Sequence, residues 1–556
     1  MIRQEYERWR RLATDAAIAD ELVRIEADDK LIDDAFYRQL EFGTGGLRGV
    51  IGAGTNRMNI YTVMRATRGL ADYLLETCKG NISVAIGYDT RINSRLFAET
   101  GAAVFASLGI NVHMFSEPLP TPMLSYATRE LGCAGGVMIT ASHNPSKYNG
   151  YKVYGSDGCQ ITENAAKAIT EKINSIDYFD FDTMPNFNSY LGKEVRYIGE
   201  DMTEKFVKTV TRTSCLYGDT ADKSISIVYT PLNGTGYVPV LKILKENGFE
   251  NVSCVKEQAE PDGRFPTCPY PNPEIPEALT LGLEYAKAAH ADILLATDPD
   301  CDRVGVCVCC GDEYKLLTGN EVGVLLLDYI ATQRKIHNTL PGMPIAIKTI
   351  VTTDIAEAVA KKYGIEVCNV LTGFKYIGET VGNLEAVGEA DRFVFGMEES
   401  CGYLGGSYVR DKDGVFASLL ISEMAAYYKA RGITLSDRLD EIYAEHGYTG
   451  NTLYSYAFEG ADGFLKMQGI MSLVREEISS VGGMRVIRAD DYKNGLNGLP
   501  PSDVIKLYLE NGCSVVIRPS GTEPKLKIYI SVTASDKKKA QELNSLIRAS
   551  FEEIIK

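Results

Sequence analysis

The apolar and polar positions of this 556-residue chain change their spacing after residue 40. Before that point, apolar side chains recur at helical spacing and predict three helices, over 5–12, 16–27 and 31–40. Beyond it, an apolar strand, a turn rich in Thr, Asp or Asn, and an amphipathic helix follow one another repeatedly. That alternation is typical of α/β domains with largely parallel sheets.

The repeating pattern is clearest at three places. The predicted strand and helix pairs are 82–87 with 94–108, 225–229 with 238–247, and 344–348 with a helix that ends at 363. Because these segments are alike in pattern rather than in residues, we interpret them as an architectural repeat. The last part of the chain reads as a smaller α+β unit that an amphipathic helix closes, over 536–555.

Composition restricts the class of protein. At roughly 150 residues per domain, the length implies about three to five domains. The 58 basic and 74 acidic residues give a net charge of −16, which argues against a nucleic-acid partner. It leaves a phosphorylated substrate open, because local arginines decide that.

The expected compartment is the cytoplasm. No apolar run approaches the ~18 residues of a membrane span, and the charged start has no apolar signal-peptide core. The 13 cysteines then read as reduced thiols. We interpret Cys307, Cys309 and Cys310 as strand residues rather than metal ligands, because their spacing is not that of a zinc site.

Ser142 is the first candidate for chemistry. A small, apolar run over 133–139 predicts a buried strand before it, and 144–150 has the composition of a turn. A serine between them can present its hydroxyl to a cleft. His143 and Lys152 are both candidates for the base that takes its proton, and a role for His143 in orienting the turn is comparably plausible.

Three carboxylates follow the apolar strand at 293–296. Asp298, Asp300 and Asp302 alternate in an extended, proline-containing segment, so they can face one side. Carboxylates at such short distances repel one another unless a cation binds between them. Mg²⁺ suits a site with oxygen ligands beside a phosphate. Aspartate-nucleophile phosphatases and some glycosyltransferases also place Asp-x-Asp after a strand, and the phosphatase stays an alternative.

A loop suited to phosphate follows the strand at 514–517. Arg518 offers a planar fork for phosphate oxygens, and Lys525 offers a second charge. Between them, Ser520, Gly521 and Thr522 can turn backbone N–H groups inward as an anion-binding nest. The segment lacks the Walker sequence, so we do not expect a nucleotide-binding P-loop.

Weaker signals come from three glycine-flanked turns. Glu398 and Ser400 offer a carboxylate and a hydroxyl that suit sugar hydroxyls. Arg48 lies among four glycines over 43–49, which makes it a plausible oxyanion contact. Lys375 lies in a similar turn, where an ordinary surface lysine is an equally good interpretation.

In this order, the loops at Ser142, 298–303, 398–400 and 518–525 resemble those of the α-D-phosphohexomutase family. The helical lead and the segments 43–49 and 373–379 look like the branch of bacterial α-phosphoglucomutases and their phosphopentomutase-like relatives. The loop at 398–400, which we call the sugar loop, departs from the Gly-Glu-Met-Ser-Gly-His sequence of phosphomannomutases and phosphoglucosamine mutases. This difference weakens those two assignments.

The resemblance implies an α/β fold of four domains around a central cleft. Three domains would be related α/β units, and the last would be a smaller α+β domain of TATA-binding-protein-like topology. The expected boundaries are 1–200, 201–318, 319–441 and 442–556.

The resemblance also implies a reaction, the interconversion of α-D-glucose 1-phosphate and glucose 6-phosphate through glucose 1,6-bisphosphate. Ser142 would carry a phosphate that holds Mg²⁺ together with the three aspartates, and Arg48 and Lys152 would lie near the transferring group. The remaining expected substrate contacts are Arg303, Lys375, Glu398, Ser400, Arg518, Ser520, Gly521, Thr522 and Lys525.

Several alternatives stay open at this point. A pentose phosphate or mannose phosphate as substrate, or production of a sugar bisphosphate, would keep the same chemistry. An aspartate-nucleophile phosphatase or an inactive sugar-phosphate-binding scaffold would not. We expect a monomer or a small homo-oligomer, with no nucleic-acid or membrane partner.

Overall fold

The computed structural model describes residues 1–181, 184–458, 460–476, 478–519 and 525–556. Four separate sheets follow one another along these residues. We call the parts of the chain that build them units I to IV. No helix in the described ranges is long and apolar enough to cross a membrane.

Unit I begins with the helical lead and continues into a six-stranded sheet. Its helices are α1 Ile2–Leu12, α2 Ala16–Ile25, α3 Asp29–Phe36, α4 Ile60–Thr77, α5 Ser94–Ser107, α6 Thr121–Glu130, α7 Glu163–Asn174 and α8 Phe187–Tyr190. Its strands are β1 Leu47–Val50, β2 Ser83–Tyr88, β3 Asn111–Phe115, β4 Gly135–Ile139, β5 Tyr148–Gly155 and β6 Val195–Ile198. They lie in the order β1-β5-β4-β2-β3-β6.

The single tryptophan, Trp9 of α1, links the helical lead to α4. Trp9 is fully buried and makes edge contacts with the rings of Phe36 and Tyr61. The third helix ends at Phe36, four residues earlier than the pattern predicts, because the backbone N–H of Leu40 donates to Thr55 O instead.

Units II and III have smaller mixed sheets. Unit II contains α9 Glu200–Thr211, β7 Ile227–Thr230, α10 Tyr237–Glu246, β8 Val252–Cys254, α11 Thr280–Ala289, β9 Ile293–Thr297, β10 Val304–Cys310 and β11 Glu313–Leu317. Unit III contains α12 Gly319–Ile336, β12 Ile345–Thr349, α13 Ile355–Lys362, β13 Glu366–Val370, α14 Phe374–Ala386, β14 Phe393–Glu398, β15 Gly402–Leu404, α15 Gly414–Lys429 and α16 Leu435–His446.

Unit IV is the antiparallel α+β part that the pattern predicts. Its elements are β16 Tyr448–Ala457, α17 Gly460–Glu476, β17 Ser480–Val481, β18 Met484–Asp491, β19 Ile505–Leu509, β20 Ser514–Pro519, β21 Lys525–Ala534 and α18 Lys537–Ile555. The sheet order is β16-β21-β20-β19-β18-β17. Its apolar side chains form a core of their own.

The first three sheets share one topology, which confirms the predicted repeat. Each contains three parallel strands and then an antiparallel strand, in the orders β5-β4-β2-β3, β10-β9-β7-β8 and β15-β14-β12-β13. The connection from β4 to β5, from β9 to β10 and from β14 to β15 is a short loop at the carboxyl end of a buried parallel strand. Ser142, the three aspartates and Glu398 lie on or beside these three connections.

Each of the three connections contains one residue other than glycine with left-handed backbone. The φ angles are 52° at Ser142, 50° at Cys301 and 59° at Cys401. This conformation costs on the order of 1–3 kcal/mol outside glycine, and residues held in it cluster at functional sites. The three units therefore share the backbone conformation of these loops as well as the order of their strands.

Polar contacts between units close the cleft. Tyr154 of unit I donates to Asp411 of unit III at 2.8 Å. Asp354 of unit III accepts from Lys506 at 2.9 Å and from Ser514 at 3.0 Å, both from unit IV. Asp354, Lys506 and Ser514 lie beside one central cavity.

Candidate functional site

A cavity of about 580 Å³ lies between the four units. Its lining includes residues from all four predicted loops. Among the lining residues are His143 from unit I, Tyr270, Asn272, Glu274 and Arg303 from unit II, Asn320, Asp354, Glu398, Glu399 and Ser400 from unit III, and Lys506, Arg518 and Lys527 from unit IV.

The Ser142 hydroxyl lies at the junction of units I and II. It donates a hydrogen bond of 2.7 Å to Asp298 Oδ2 and lies 3.3 Å from His143 Nδ1. Its own N–H donates to Thr140 Oγ1 at 2.9 Å, which fixes the turn. The side chain is buried. A hydroxyl held between a carboxylate and an imidazole is well placed to accept or give up a phosphoryl group.

The two candidate bases differ in their charge. Burial, followed by the positive charges of Arg303 and Arg48, lowers the pKa of His143 well below its usual value, so its ring is neutral at pH 7. Burial alone would lower the pKa of Lys152, but Asp300 and Asp302 outweigh it and raise that pKa. Its Nζ lies 2.9 Å from Asp300 Oδ2. The neutral imidazole can accept a proton, whereas the lysine is a fixed positive charge.

The three aspartates form the one cluster of His, Cys, Asp or Glu side chains suited to a metal ion in the described part of the chain. One oxygen from each lies within 4.8 Å of the others, and all three residues are buried. Asp300 Oδ1 and Asp302 Oδ1 accept no hydrogen bond from any described residue. Burial, together with the two neighbouring carboxylates, raises the pKa of Asp298 well above its usual value.

An all-oxygen set with two orphaned buried oxygens fits a hard divalent cation. Cys307, Cys309 and Cys310 belong to β10 and take no part in such a cluster.

The sugar loop is tied to the aspartate loop by Arg303. Its Nη1 donates to Ser400 O at 3.1 Å and to Glu274 Oε1 at 2.7 Å, and its Nη2 lies 3.9 Å from Glu398 Oε1. Ser400 Oγ donates to Glu398 Oε1 at 3.1 Å. The predicted carboxylate and hydroxyl therefore lie together at the cavity wall.

Lys412 is a central residue that sequence reasoning missed. Its Nζ lies 3.2 Å from Asp302 Oδ2 and 3.2 Å from Asp411 Oδ1. Asp302 and Asp411 outweigh the effect of burial and raise the pKa of Lys412, so it stays charged. A run of charged residues, 410–413, lies directly before the apolar helix α15. This run is the sequence signal for Lys412, because a solvent-exposed loop is not expected next to a buried helix.

Glu399 is a second missed residue. Burial, and then the charge of Glu398, raises its pKa to about 7. Its Oε2 accepts from Thr349 at 3.2 Å and from Thr352 at 3.4 Å. The cavity thus contains a carboxyl that changes charge near neutral pH, beside the predicted sugar contact.

The predicted phosphate loop is described in part. Arg518 lies near the end of β20, and Lys527 of β21 is its direct partner across the sheet. Both residues line the cavity, and the sequence pattern did not predict Lys527 as a site residue. Lys525 begins β21, while Ser520, Gly521 and Thr522 lie outside the described residues.

Two predicted cations lie at other places around the cleft. Lys375 is the second residue of helix α14 and not part of a turn as predicted, and its Nζ lies 3.0 Å from Glu163 Oε1, which joins units III and I. Arg48 lies on β1, directly across the sheet from Gly150 of β5, and its side chain is exposed.

Comparison with known proteins matches each of the four units to a domain of one protein family. Models of the phosphoglucomutase/phosphomannomutase family match α/β/α domain I at 39–180, domain II at 204–311, domain III at 318–446 and the C-terminal domain at 474–549. A phosphoglucomutase of Staphylococcus saprophyticus is 36% identical, covering 89% of this chain and 91% of that protein. One from Staphylococcus haemolyticus is 34% identical over 91% and 92%.

Solved structures share the fold. Parafusin, a phosphoglucomutase from Paramecium in an open form, superposes with a TM-score of 0.69 at 20% identity, covering 93% of this chain and 95% of that one. A phosphoglucomutase/phosphomannomutase family protein from Burkholderia thailandensis gives 0.68 at 17% identity, with 93% and 98% covered. The four family models and the Staphylococcus relatives show that the chain belongs to the phosphoglucomutase/phosphomannomutase family of α-D-phosphohexomutases.

Proposed function

We propose that this enzyme is a phosphoglucomutase that interconverts α-D-glucose 1-phosphate and glucose 6-phosphate. The observation that carries the proposal is the Ser142 hydroxyl, buried and hydrogen-bonded to Asp298 at 2.7 Å beside a cavity that four units line. Relatives named phosphoglucomutase, at 34% to 36% identity over about nine-tenths of the chain, support glucose over other sugars.

In the proposed cycle, Ser142 begins as a phosphoserine. The bond from its Oγ to phosphorus breaks as the free hydroxyl of the sugar phosphate bonds to phosphorus, and the hydroxyl proton moves to a base. Because the ring of His143 is neutral and Lys152 is charged, we propose His143 as the acceptor and Lys152 as a stabilising charge. His143 would then pass the proton to the departing Ser142 Oγ, which lies 3.3 Å from its Nδ1. The product, glucose 1,6-bisphosphate, turns over in the cleft and returns its other phosphate to Ser142.

The chain provides ligands for Mg²⁺ in Asp298, Asp300, Asp302 and the phosphate of Ser142. When bound there, the ion would neutralise charge on the transferring phosphoryl group. Arg48 would lie beside this group as a second positive charge. Lys412 would keep Asp302 in place from the side of unit III.

The rest of the cleft would hold the sugar and its second phosphate. We propose that Glu398 and Ser400 bind sugar hydroxyls and that Arg303 fixes both. The non-reacting phosphate would bind at Arg518, with Lys375 approaching the substrate from unit III. The loop members in that phosphate site would be Ser520, Gly521, Thr522 and Lys525.

The geometry disfavours Asp298 as a phosphatase nucleophile. Its Oδ2 accepts from the Ser142 hydroxyl, and its Oδ1 accepts from the backbone N–H groups of Asp302 and Arg303 at 3.1 Å each. Both oxygens are therefore engaged, and the serine covers the one that faces unit I. A nucleophilic carboxylate needs an open path to phosphorus.

We propose domain boundaries at 1–200, 201–318, 319–441 and 442–556, which keep the strands of each sheet together; the first boundary falls within α9 and the last within α16. We also propose the cytoplasm as the compartment. All thirteen cysteines are free thiols in the structure, which supports a reducing environment.

Replacing the proposed carrier tests the reaction class. Ser142→Ala removes the atom that bears the phosphate, so we expect mutase turnover to fall at least about 1,000-fold. Ser146→Ala, in the same loop, should keep full activity. The measurement is the steady-state rate with glucose 1-phosphate and a trace of glucose 1,6-bisphosphate; full activity of Ser142→Ala would rule the mechanism out.

Calorimetry tests the metal site without relying on activity. Asp302→Asn removes one charged ligand, and we expect Mg²⁺ affinity to fall at least about tenfold, the smallest effect typical of groups that merely support a metal ligand. Asp312→Asn, in an exposed turn of unit II, is the matched control and should bind Mg²⁺ like the unaltered protein. Equal affinities for all three proteins would show that the ion binds elsewhere.

Competing substrates test the sugar. Glucose 1-phosphate should show a higher kcat/KM than ribose 1-phosphate, because a missing hydroxyl leaves buried polar groups of the sugar loop unpaired. Ser400→Ala should lower kcat/KM for the glucose substrate by about tenfold, the worth of one strong hydrogen bond. A higher kcat/KM for ribose 1-phosphate would assign the enzyme to pentoses instead.

A further inference from the structure

We propose that Arg91 is a positioning residue that holds the Ser142 loop in its left-handed turn, an inference that rests on the proposed role of Ser142. Arg91 lies after β2, more than fifty residues before the loop, and belongs to none of the four predicted loops. It does not line the cavity. Its role would be to set where the serine hydroxyl stands.

The guanidinium of Arg91 gathers the carbonyl groups of the loop. Its Nη2 donates to Ser142 O and Asn144 O, and its Nη1 donates to Pro145 O at 3.0 Å and Tyr148 O at 3.1 Å. Four carbonyl dipoles of one short segment thus converge on one cation. Without that cation they would face each other, so the path of the loop depends on it.

A buried carboxylate fixes the guanidinium in turn. Asp89 Oδ2 lies 3.3 Å from Arg91 Nε, and both side chains are fully buried. Asp89 Oδ1 accepts from the backbone N–H of Arg91 at 2.9 Å and from Ser94 Oγ at 2.6 Å. The four N–H donors on Nη1 and Nη2 therefore each have a carbonyl acceptor, while Nε faces Asp89 Oδ2 as an ion pair without a hydrogen bond. A lysine has three donors without the planar fork and cannot make the same set of contacts.

Residues of unit II pack against the other side of Arg91. The ring of Phe265 lies 5.1 Å from the centre of the guanidinium. Gly263 packs against the backbone here, since a Cβ on it would lie 2.5 Å from Ile92 N. Unit II also supplies Asp298, the acceptor of the Ser142 hydroxyl. Arg91 thus lies where the loop of unit I and the aspartates of unit II are held in register.

This arrangement explains how Ser142 keeps an unfavourable φ of 52°. The backbone would relax to a commoner conformation unless its surroundings determined it. The Arg91 contact to Ser142 O and the Thr140 contact to Ser142 N hold the two peptide groups on either side of this residue. A shift of the loop by about 1 Å is enough to reduce turnover about 100-fold in a preorganised site.

The test compares Arg91→Lys with Arg95→Lys. Arg95 lies on α5, is largely exposed and pairs with Glu99, so its replacement should change nothing. For Arg91→Lys we expect kcat per phosphorylated Ser142 to fall about 100-fold, with KM for glucose 1-phosphate little changed, because the substrate contacts lie on other loops. Phosphoserine is measured by peptide mass spectrometry, and kcat and KM by steady-state kinetics.

The outcomes separate this inference from the proposed function. If the unaltered enzyme turns over without phosphate on Ser142, the proposed function fails. If it carries that phosphate and Arg91→Lys has the same kcat per phosphorylated site, the positioning role is wrong, even where the melting temperature falls. If Arg91→Lys does not fold, Asp89→Asn keeps the Oδ1 acceptor for Arg91 N and replaces the charged oxygen beside Arg91 Nε with a neutral NH2 group. A lower kcat at unchanged KM then supports the role, and an unchanged kcat overturns it.

Discussion

Three carboxylates buried at one point are the constraint on which the site depends. Asp298, Asp300 and Asp302 repel one another in a place that water does not reach. The chain answers with cations from both sides, Lys152 from unit I and Lys412 from unit III. Because each cation comes from a different unit, the balance of charge also fixes how the units meet. The same excess of negative charge is what suits the point to a divalent ion.

The repeat explains why the chemistry lies where it does. In units I, II and III, one buried parallel strand turns back into an antiparallel one, and the turn carries a left-handed residue. The carboxyl ends of these strands face a common space, so a serine, an aspartate cluster and a sugar loop meet there. Unit IV has a different topology and contributes Arg518 and Lys527 to the lining of that space.

The sequence predicted the parts of the site that lie on compact motifs. Ser142, the aspartates, Glu398 and Ser400 follow apolar strands directly, and a strand end places its loop at the sheet edge. Arg91, Lys412 and Glu399 were missed for different reasons. Arg91 acts through backbone carbonyls and Lys412 through a partner in another unit, and neither relation leaves a local pattern. The sequence does not distinguish Glu399 from its neighbour Glu398, because the two residues differ only in the side of the loop that their side chains face.

Peptide mass spectrometry of the full chain after incubation with glucose 1,6-bisphosphate tests the central claim most directly. The account predicts one phosphate on the peptide that carries Ser142, and the same single phosphate after turnover of glucose 1-phosphate, because each cycle returns a phosphate to this residue. Phosphate on Asp298, or an active enzyme whose Ser142 never carries phosphate, would contradict it.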